Sequence, residues 1–389
     1  MAVQIQTEVA AQPDADVTTG GPAVAESCGI LTIDLGAIVA NYKLLAARVT
    51  PAECSAVVKG DAYGCGIEQV THTLLRAGCR TFFVAHVGEA RRVRAVARDA
   101  TIFVLNGFTA SLGPLIIELN VRPVINSLVE LAEWDQFIAE SQWNGGAALH
   151  VDTGMNRLGV SIEEAAAVAT RIRNLNHGIV LLMSHLACAD RPEHPLNDQQ
   201  IRNFREIRAL FRGISSSLAN SSGIFYDPST YCDVVRPGLA LFGANPTPGK
   251  PNPMQPVIDL KAGILQVRNV PRGATVGYGA AWTARRDSRI AVVAAGYADG
   301  VLRVAAITEG KSPRELLVAG QRCPIVGRIS MDLLALDVTD LPVGAVQRGQ
   351  MATLIGEGLS LDAVAEQAGT IPYEVLTNLG RRFHRVWQA

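Results

Sequence analysis

The sequence predicts an α/β protein in which an N-terminal TIM-like (β/α)8 barrel is followed by a C-terminal all-β domain. Three observations predict this organisation. Apolar runs alternate with amphipathic stretches over residues 35–245, a proline-rich segment follows, and the pattern then becomes β-rich. The 389 residues, of which 48% are hydrophobic and 18% charged, supply enough apolar material for a sizeable core.

Short apolar runs are the candidate strands of the barrel. They follow one another at the spacing of βα units, in which each strand leads into a helix that returns the chain to the next strand. The eight runs are Ser55–Val58, Thr81–Ala85, Thr101–Leu105, Val121–Ile125, Ala147–Val151, Ile179–Ser184, Ser215–Ala219 and Asp233–Arg236. Eight such units predict a closed barrel, and a doubly wound open sheet is the alternative.

Helix-start signals lie between these runs. The segments Ser127–Glu130 and Ser161–Glu164 both have the S-x-x-E pattern of a capping box, in which the serine and the glutamate each bond the other's backbone amide. Asn197 is predicted to cap the helix that follows it, because asparagine is a preferred N-cap residue.

The boundary between the domains is predicted from proline content. Residues 245–256 read NPTPGKPNPMQP, and their five prolines lack the backbone donor that regular structure needs. We therefore predict the barrel over residues 28–245, a linker over 246–256 and the β-domain over 257–389. Candidate strands of the β-domain are Ala262–Val267, Arg289–Ala294 and Leu333–Val338. Residues 1–27, acidic and containing proline and glycine, are predicted to be a mobile tail.

Charge and cysteine content exclude several classes of protein. The formal net charge of −1 argues against binding to nucleic acid, which needs a clustered basic face. No apolar run is long enough to cross a bilayer, so no membrane partner is expected. The seven cysteines are scattered and form no CxxC pair, which is typical of a reducing compartment and disfavours a zinc site. We expect a cytoplasmic protein without a metal.

The segment Ser55–Gly66 carries the first chemical signal. An apolar strand ends at Lys59, and a glycine-spaced turn follows. The carboxyl ends of barrel strands face the active site, so a lysine there lies among apolar side chains. Desolvation lowers the pKa of such an amine and leaves it able to form an imine with a carbonyl. From these residues alone, an ordinary lysine at a strand end remains the alternative.

The string VVKGDAYGCG resembles the pyridoxal-phosphate lysine motif of the alanine racemases, commonly AVVKADAYGHG. Further segments match the family in the same order, so the resemblance covers roughly residues 30–389. These segments are His150–Gly159 (HVDTGMNRLG), Ser184–Asp190, Ala219–Ser222, Val235–Leu239, Val276–Gly279, Gly296–Gly300, Gly327–Asp332 and Pro372–Glu374. The family fold is a (β/α)8 barrel followed by a β-domain, and its first strand, here near residues 30–35, packs with the β-domain.

The resemblance implies the activity and its catalytic residues. Racemisation removes a proton from one face of the α-carbon and returns one to the other, so it needs two acid–base groups. Lys59 is implied as the imine lysine and one base, and Tyr278 as the other base. His185 matches the histidine that bonds this tyrosine. Arg236 matches the arginine facing the pyridine nitrogen, where a permanent cation disfavours protonation of that nitrogen and so suppresses side reactions.

The resemblance also implies the residues that bind pyridoxal 5'-phosphate and alanine. Its phosphate is expected to meet the hydroxyls of Tyr63, Ser221 and Tyr373 and backbone donors at Gly238 and Leu239, with Asn220 orienting the neighbouring network. The substrate is expected to meet Arg157 and Met331, with Tyr297 and Tyr373 narrowing the entrance channel. Outer channel positions match Arg303, Arg328 and Asp190.

Three positions depart from the family pattern. Many members have a lysine, able to be carbamylated, where this chain has His150, and histidine cannot form that carbamate. The sequence therefore leaves open what orients Arg157. Ser330 stands where cysteine is frequent, and Cys65 replaces the usual histidine of the lysine motif. We expect a small effect from Ser330 and a change in packing from Cys65.

The family forms homodimers in which each site combines the lysine of one subunit with the tyrosine of the other, and the same shared sites are expected here. The expected role is supply of D-alanine for peptidoglycan, or catabolism of D-alanine. The alternatives are a racemase of other amino acids such as serine, a barrel-type decarboxylase, a non-catalytic pyridoxal-phosphate carrier and a purely structural barrel. A carboxylate in place of Arg236 is typical of the decarboxylases, and the carriers lack the β-domain that holds Tyr278.

Overall fold

The computed structural model of the chain describes residues 18–174, 178–303 and 314–389. Contacts divide it into two compact units. Among the described residues, one unit comprises those within 37–257 and 360–379, and the other comprises those within 18–36, 258–359 and 380–389. Of the predicted tail, residues 1–17 lie outside the described residues, whereas Thr18–Gly20 forms an antiparallel strand against the C-terminal strand of the chain.

Strands β1 (Thr18–Gly20) and β2 (Gly29–Asp34) open the described chain. The strands of the first unit are β3 (Glu53–Cys54), β4 (Ala56–Val57), β5 (Thr81–Val84), β6 (Thr101–Val104), β7 (Arg122–Ile125), β8 (Ala147–His150), β9 (Ile179–Met183), β10 (Ser215–Ser217) and β11 (Val234–Val235). The helical segments are α1 (Leu35–Val49), α2 (Lys59–Tyr63), α3 (Ile67–Arg76), α4 (Val87–Val96), α5 (Gly113–Leu119), α6 (Leu128–Ser141), α7 (Ile162–Asn174), α8 (Leu196–Leu210), α9 (Gly223–Tyr226), α10 (Leu361–Ala368) and α11 (Pro372–Thr377). Of these, α2 is a single left-handed turn and not an ordinary α-helix.

The parallel strands of the first unit close into a barrel. Seven strands pair in the order β10-β9-β8-β7-β6-β5-β4, and β3 pairs with β11. Strands β3 and β4 are one barrel strand interrupted at Ser55. The amide of Asp233 donates to Ser216 O at 2.9 Å and that of Arg236 to Ala219 O at 2.9 Å, which joins β11 to the β10 segment. All eight predicted strands are confirmed, and the open sheet is excluded because both of its edges are paired.

Packing explains why the predicted helices cover the barrel. Phe82, Phe83, Phe108 and Trp134 are fully buried, and the rings of Phe108 and Trp134 meet edge to face with centroids 5.3 Å apart. This contact seats α6 against the unit's core. Aromatic pairs of this kind add to the free energy gained by burying apolar area.

Two of the three helix-start predictions need correction. The capping box at Ser161 forms as predicted, with both reciprocal bonds to Glu164. Ser127 Oγ accepts from the amide of Glu130 at 3.1 Å, but the Glu130 carboxylate bonds the amides of Asn126 and Phe108 instead of returning to Ser127. Asn197 lies inside α8, where its side-chain amide donates to two loop carbonyls, so its prediction as a cap is wrong.

The second unit is built on a largely antiparallel sheet. Its strands after β2 are β12 (Ile258–Val270), β13 (Thr275–Val276), β14 (Trp282–Thr283), β15 (Ser288–Val293), β16 (Glu315–Val318), β17 (Gln321–Val326), β18 (Leu334–Asp337), β19 (Met351–Ile355) and β20 (His384–Gln388). Nine strands pair in the order β1-β20-β2-β12-β15-β18-β17-β16-β19, and β12 also pairs with β19. This extra pairing closes six strands into a β-barrel, which confirms the predicted all-β domain.

The first long strand of the chain belongs to this second unit. Strand β2 pairs with β12 in antiparallel register, Ile33 opposite Ile258, and with β20 in parallel register. The expectation that residues near 30–35 pack with the β-domain is therefore confirmed. Residues 360–379, which carry α10 and α11, instead pack with the first unit.

Short 3-10 turns complete the structure, at Val24–Glu26, Ala110–Leu112, Pro228–Thr230, Leu239–Phe242, Tyr278–Ala280 and Tyr297–Asp299. No helix in the described ranges 18–174, 178–303 and 314–389 is long and apolar enough to cross a membrane.

Candidate functional site

Most of the predicted site residues of the first unit follow the carboxyl ends of its strands. Lys59 comes two residues after β4, His185 two after β9, and Arg236 directly after β11. Parallel strands place these ends at the same mouth of the barrel, where enzymes of this fold have their active sites. Tyr373 arrives from α11, far along the chain.

The turn after Lys59 is left-handed. Gly60, Asp61, Ala62 and Tyr63 have φ values of 64°, 56°, 53° and 55°, and three of these residues carry a Cβ. Each such residue costs roughly 1–2 kcal/mol relative to a right-handed conformation. The turn therefore persists only because its surroundings hold it. It is a local feature that the sequence, with one glycine at position 60, does not predict.

The amine of Lys59 is tuned by its neighbours. The side chain reaches the accessible mouth of the barrel, but the surrounding protein desolvates the amine, which lowers its pKa. The nearby cation of Arg157 lowers this pKa further, and the Glu89 carboxylate raises it. The direction agrees with the sequence argument that a lysine here becomes a more available amine.

His185 and His150 lie among the same cations. Burial lowers the pKa of His185 well below its ordinary value, and the charges of Arg236, Arg157, His150 and Lys59 act in the same direction. Burial likewise lowers the pKa of His150 to about 4, with further lowering by Arg236 and Arg157 against the opposing effect of Asp152. Lys59, Arg157, His185, Arg236 and His150 are therefore neighbours, close enough for their charges to affect one another.

Arg236 is a buried cation with neutral partners. Its side chain is only 4% exposed, and it donates to Ser217 Oγ and to the carbonyl of Ser184. Burial lowers its pKa to about 10, so it stays charged at neutral pH. In the described part of the chain, no carboxylate forms an ion pair with Arg236, Lys59 or Arg157. A site with three cations and no such pairing is suited to an anionic ligand.

A compact group of hydroxyls and amides lies beside these cations. Ser221 Oγ accepts from the amides of Gly238 and Ala240 at 3.0 and 3.2 Å. A Cβ added to Gly238 would lie 2.2 Å from Tyr63 Oη, so only glycine permits this approach. The structure thus gathers the predicted phosphate-binding residues Tyr63, Ser221 and Gly238, with Leu239 as the next residue.

Aromatic packing fixes the two tyrosines of this group. The ring of Tyr63 stacks on Phe242 with centroids 4.7 Å apart and lies 6.0 Å from that of Tyr373. Burial raises the pKa of both phenols, and Asp190 raises that of Tyr373 further. Both hydroxyls therefore stay protonated and able to donate at neutral pH. Helix α11 brings Tyr373 here because Leu376 O lies against Gly64, where a Cβ would approach it to 2.4 Å.

The Asn220 side chain bonds the backbone of its own loop and of the loop after β9. Its Nδ2 donates to the carbonyl of Leu186 at 3.3 Å, and its Oδ1 accepts from the amide of Gly223 at 2.9 Å. These bonds order the loop that contains Ser221. In the described structure, the Asn220 side chain therefore acts on backbone groups.

The remaining predicted residues lie in the second unit. The side chain of Tyr278 is 72% exposed on a tight turn in which Gly277, Gly279 and Ala280 have positive φ. The amides of Tyr297 and Ala298 donate to the carbonyls of Ser330 and Met331 at 3.0 Å, which places Tyr297 beside Met331.

An ion-pair network supports the loops of Tyr297 and Met331. Asp299 is buried, accepts from the amide of Gly296, and receives two bonds of 2.7 Å from Arg382. Arg382 also donates to Asp332 at 2.7 Å. One guanidinium thus joins the segments next to Tyr297 and Met331. The outer channel residues Arg303, Arg328 and Asp190 are all exposed.

Sequence reasoning missed several supporting residues. Glu89 bonds the turn of Lys59, Ser217 holds Arg236, Asn126 bonds His150, and Phe242 stacks on Tyr63. For Glu89, Ser217 and Asn126 the only sequence signal is a position near a strand end or in the first turn of a helix, which many structural residues share. Phe242, at the end of a 3-10 turn, has no such signal. Within the described ranges, no cluster of three or more His, Cys, Asp or Glu side chains is arranged to hold a metal ion.

Comparison with known proteins identifies relatives along almost the whole chain. The family model described as alanine racemase, N-terminal domain, matches residues 33–246, and the model described as alanine racemase, C-terminal domain, matches residues 257–387. Alanine racemase of Methylobacterium sp. (strain 4-46) is 50% identical over 357 residues, covering 92% of this chain and 97% of the relative.

Alanine racemase of Methylobacterium nodulans is 51% identical over 355 residues, covering 91% of this chain and 95% of the relative. Among solved structures, alanine racemase from Bartonella henselae with covalently bound pyridoxal phosphate matches with a TM-score of 0.88 at 38% identity. The match covers 94% of this chain and 100% of that one.

Proposed function

The chain belongs to the alanine racemase family, and we propose that its barrel residues and a second subunit's Tyr278 together carry a two-base racemisation of alanine. It is a pyridoxal-phosphate-dependent enzyme that interconverts L- and D-alanine. When bound, the cofactor supplies an electron sink that stabilises negative charge at the α-carbon of the substrate. The observation that carries the proposal is the meeting of a desolvated lysine, a buried arginine and a group of hydroxyls at one barrel mouth.

The residues of the first unit fit both polar ends of the cofactor. The hydroxyls of Tyr63, Ser221 and Tyr373 and the amides near Gly238 and Leu239 would hold its phosphate. Support comes from the close approach of Gly238 to Tyr63 Oη, which a Cβ would prevent. Asn220 would act indirectly, by ordering the loop of Ser221.

Arg236 would face the pyridine nitrogen. Its buried guanidinium is held by Ser217 and by the Ser184 carbonyl, so its direction is fixed by the barrel. A permanent donor at that position keeps the nitrogen unprotonated, which limits side reactions such as transamination. The same residue disfavours a decarboxylase, for which a carboxylate at this place is typical.

Lys59 would hold the cofactor and move a proton on one face of the substrate, and Tyr278 of the partner subunit would act on the other face. The lowered pKa of Lys59 suits an amine that both gives and accepts a proton. The 72% exposure of Tyr278 supports its use by another subunit, because the glycine-flanked turn presents the phenol outward.

His185 would bond the Tyr278 hydroxyl of the partner subunit. Its ring makes no hydrogen bond to any of the described residues, and the pKa lowering by burial keeps it neutral. A neutral imidazole accepts or donates one bond without adding charge. A homodimer with two shared sites follows from this pairing.

The substrate carboxylate would meet Arg157 and the backbone near Met331, with Tyr297 and Tyr373 narrowing the approach. The exposed charges of Arg303, Arg328 and Asp190 would act on a zwitterion further out. The product suits either D-alanine supply for peptidoglycan or D-alanine catabolism, and a cytoplasmic location stays a prediction.

A chiral assay of full-length protein tests the proposal. Wild type should convert L- or D-alanine to an equal mixture, whereas Tyr278→Phe should lose most activity and remain yellow because Lys59 still holds the cofactor. Serine, lysine and arginine serve as competing substrates. Retention of full activity by Tyr278→Phe would refute its role, and faster turnover of serine than alanine would reassign the substrate.

A further inference from the structure

The Glu89 carboxylate lies between the turn of Lys59 and the end of the next strand. Its Oε1 accepts from the amide of Gly60 at 2.7 Å, and its Oε2 accepts from the amide of Ala85 at 2.8 Å. Each oxygen therefore holds one backbone group. The Gly60 amide belongs to the peptide that joins it to Lys59, so this bond acts directly on the backbone from which the lysine side chain departs.

The turn held in this way is the left-handed one. Because Asp61, Ala62 and Tyr63 adopt positive φ with a Cβ present, the conformation depends on external contacts. A charge-assisted bond to the first amide of the turn is stronger than a bond between neutral groups. Loss of this bond removes one of the contacts that fix the direction of Lys59.

A second residue of α4 holds the same turn. Arg92 lies three positions after Glu89, on the same side of the helix, and forms an ion pair of 2.8 Å with Asp61. Asp61 also accepts from the amide of Ile67 at 3.1 Å. Helix α4 therefore contacts the lysine turn at two successive residues, Gly60 and Asp61.

The charge of Glu89 also acts on the amine itself. Desolvation and Arg157 lower the pKa of Lys59, and Glu89 is the group that opposes them. In the described structure, Glu89 is half-buried and its hydrogen-bonded partners are the two backbone amides.

We propose that Glu89 is the positioning residue of Lys59, fixing the direction of its side chain through the Gly60 amide and holding its amine in reach of a carbonyl at the barrel mouth. This inference rests on the proposed role of Lys59. Glu89 does not touch the reacting atoms, and it acts only through the lysine.

Full-length protein freed of cofactor and mixed with pyridoxal tests the inference. Pyridoxal lacks the phosphate, so its reaction reports on Lys59 and leaves the phosphate-binding hydroxyls out of the measurement. The rate of imine formation is measured by absorbance at a series of pH values. The midpoint of the pH dependence is set by the pKa of the Lys59 amine. The plateau at high pH is set by the position of that amine relative to the carbonyl of pyridoxal.

Two substitutions separate charge from geometry. Glu89→Gln removes the charge and turns an amide group toward one of the two N–H donors. Its midpoint should move to lower pH by roughly half a unit or more, and its plateau should fall about tenfold. Glu89→Asp keeps the charge but shortens the reach, so its midpoint should stay and its plateau should fall. Glu118→Gln is the control, because Glu118 pairs with Arg91 of α4 at the surface.

Unchanged plateaus in both Glu89 variants would overturn the inference. If Glu89→Gln does not fold, as judged by circular dichroism, the plateau of Glu89→Asp alone decides it. Reduction with borohydride and peptide mapping keeps the two proposals apart. A pyridoxyl group found elsewhere than on Lys59 in wild type would refute the role of Lys59, whereas an adduct on Lys59 with unaffected Glu89 variants would refute only the role of Glu89.

Discussion

The Nδ1 atom of His150 lies 2.9 Å from Oδ1 of Asn126. The orientation of the Asn126 amide group is fixed, because its Nδ2 donates to the carbonyls of Leu105 and Val124 at 3.2 and 2.9 Å. Its oxygen therefore faces the imidazole, and Nδ1 of His150 carries the hydrogen. The Nε2 atom keeps its lone pair, and burial holds the ring neutral.

The first prediction concerns the free energy of unfolding at acid pH. The unfolded chain protonates a histidine near pH 6.5, whereas burial lowers the pKa of folded His150 to about 4. The unfolded state therefore binds more protons between these values, and stability, full above about pH 6.5, is lost as the pH falls toward 4. The lowering corresponds to about 3 kcal/mol. His185 acts in the same direction.

Urea unfolding near pH 7 and at about pH 4.5 measures this loss, and His150→Asn should reduce it by about 2–3 kcal/mol. His72→Gln, which changes an exposed histidine on α3, is the control and should lose as much as wild type. An equal loss in His150→Asn and wild type would show that His150 titrates normally in the folded protein.

The second prediction concerns bicarbonate. A histidine at position 150 cannot form the carbamate expected of a lysine there, so racemisation should be insensitive to removal of dissolved carbon dioxide. The matched variant His150→Lys should gain a response to added bicarbonate. The measurement is initial rate in degassed buffer with and without bicarbonate, and a bicarbonate response of wild type would contradict the prediction.

The third prediction concerns the phosphate-binding group. Gly238→Ala places a Cβ 2.2 Å from Tyr63 Oη, so either the tyrosine or the loop must move. We expect the dissociation constant of pyridoxal 5'-phosphate to rise at least about tenfold, with a stability loss of about 1–3 kcal/mol from overpacking. Gly263→Ala is the control, since its Cβ would have no neighbour within 4 Å. Cofactor affinity equal to that of wild type would remove Gly238 from the proposed group.

The fourth prediction concerns Arg236. Replacing it with glutamine removes the permanent cation, so racemisation should slow by at least about tenfold and pyruvate from transamination should become detectable. Ser217→Ala retains the guanidinium but loses a bond that directs it, so its defect should be smaller. Product analysis by chromatography checks both. An Arg236→Gln variant that racemises at the wild-type rate without pyruvate would argue against this role.

Much of the architecture was predictable because burial dictates local sequence pattern. Seven of the eight parallel strands are largely apolar runs, whereas β10 (Ser215–Ser217) consists of serines and was located from the spacing of the βα units. The β-domain strands β12, β15 and β18 lie where short β-rich runs predict them. The role of Glu130 was not predictable. Its carboxylate accepts from the amides of Phe108 and Asn126 and not from the amide of Ser127. These two amides come close to Glu130 only in the folded chain, so the local sequence does not indicate them.

The candidate site divides in the same way. Lys59 could be predicted as a site residue because it follows the end of a strand. The left-handed turn after it could not, because Asp61, Ala62 and Tyr63 are not glycines and such residues rarely adopt positive φ. Tyr373 reaches Tyr63 through α11, more than a hundred positions later, and no local pattern encodes such a contact. The family resemblance implied Tyr63 and Tyr373 because it rests on several motifs along the whole chain.

The most direct test of the account mixes two inactive proteins, Lys59→Ala and Tyr278→Phe. If each site takes its lysine from one subunit and its tyrosine from the other, a heterodimer contains one site with both groups intact. Random exchange should then restore about a quarter of the wild-type specific activity, since half of the dimers are mixed and half of their sites are intact. No recovery, with subunit exchange demonstrated by native mass spectrometry of differently tagged chains, would contradict shared sites.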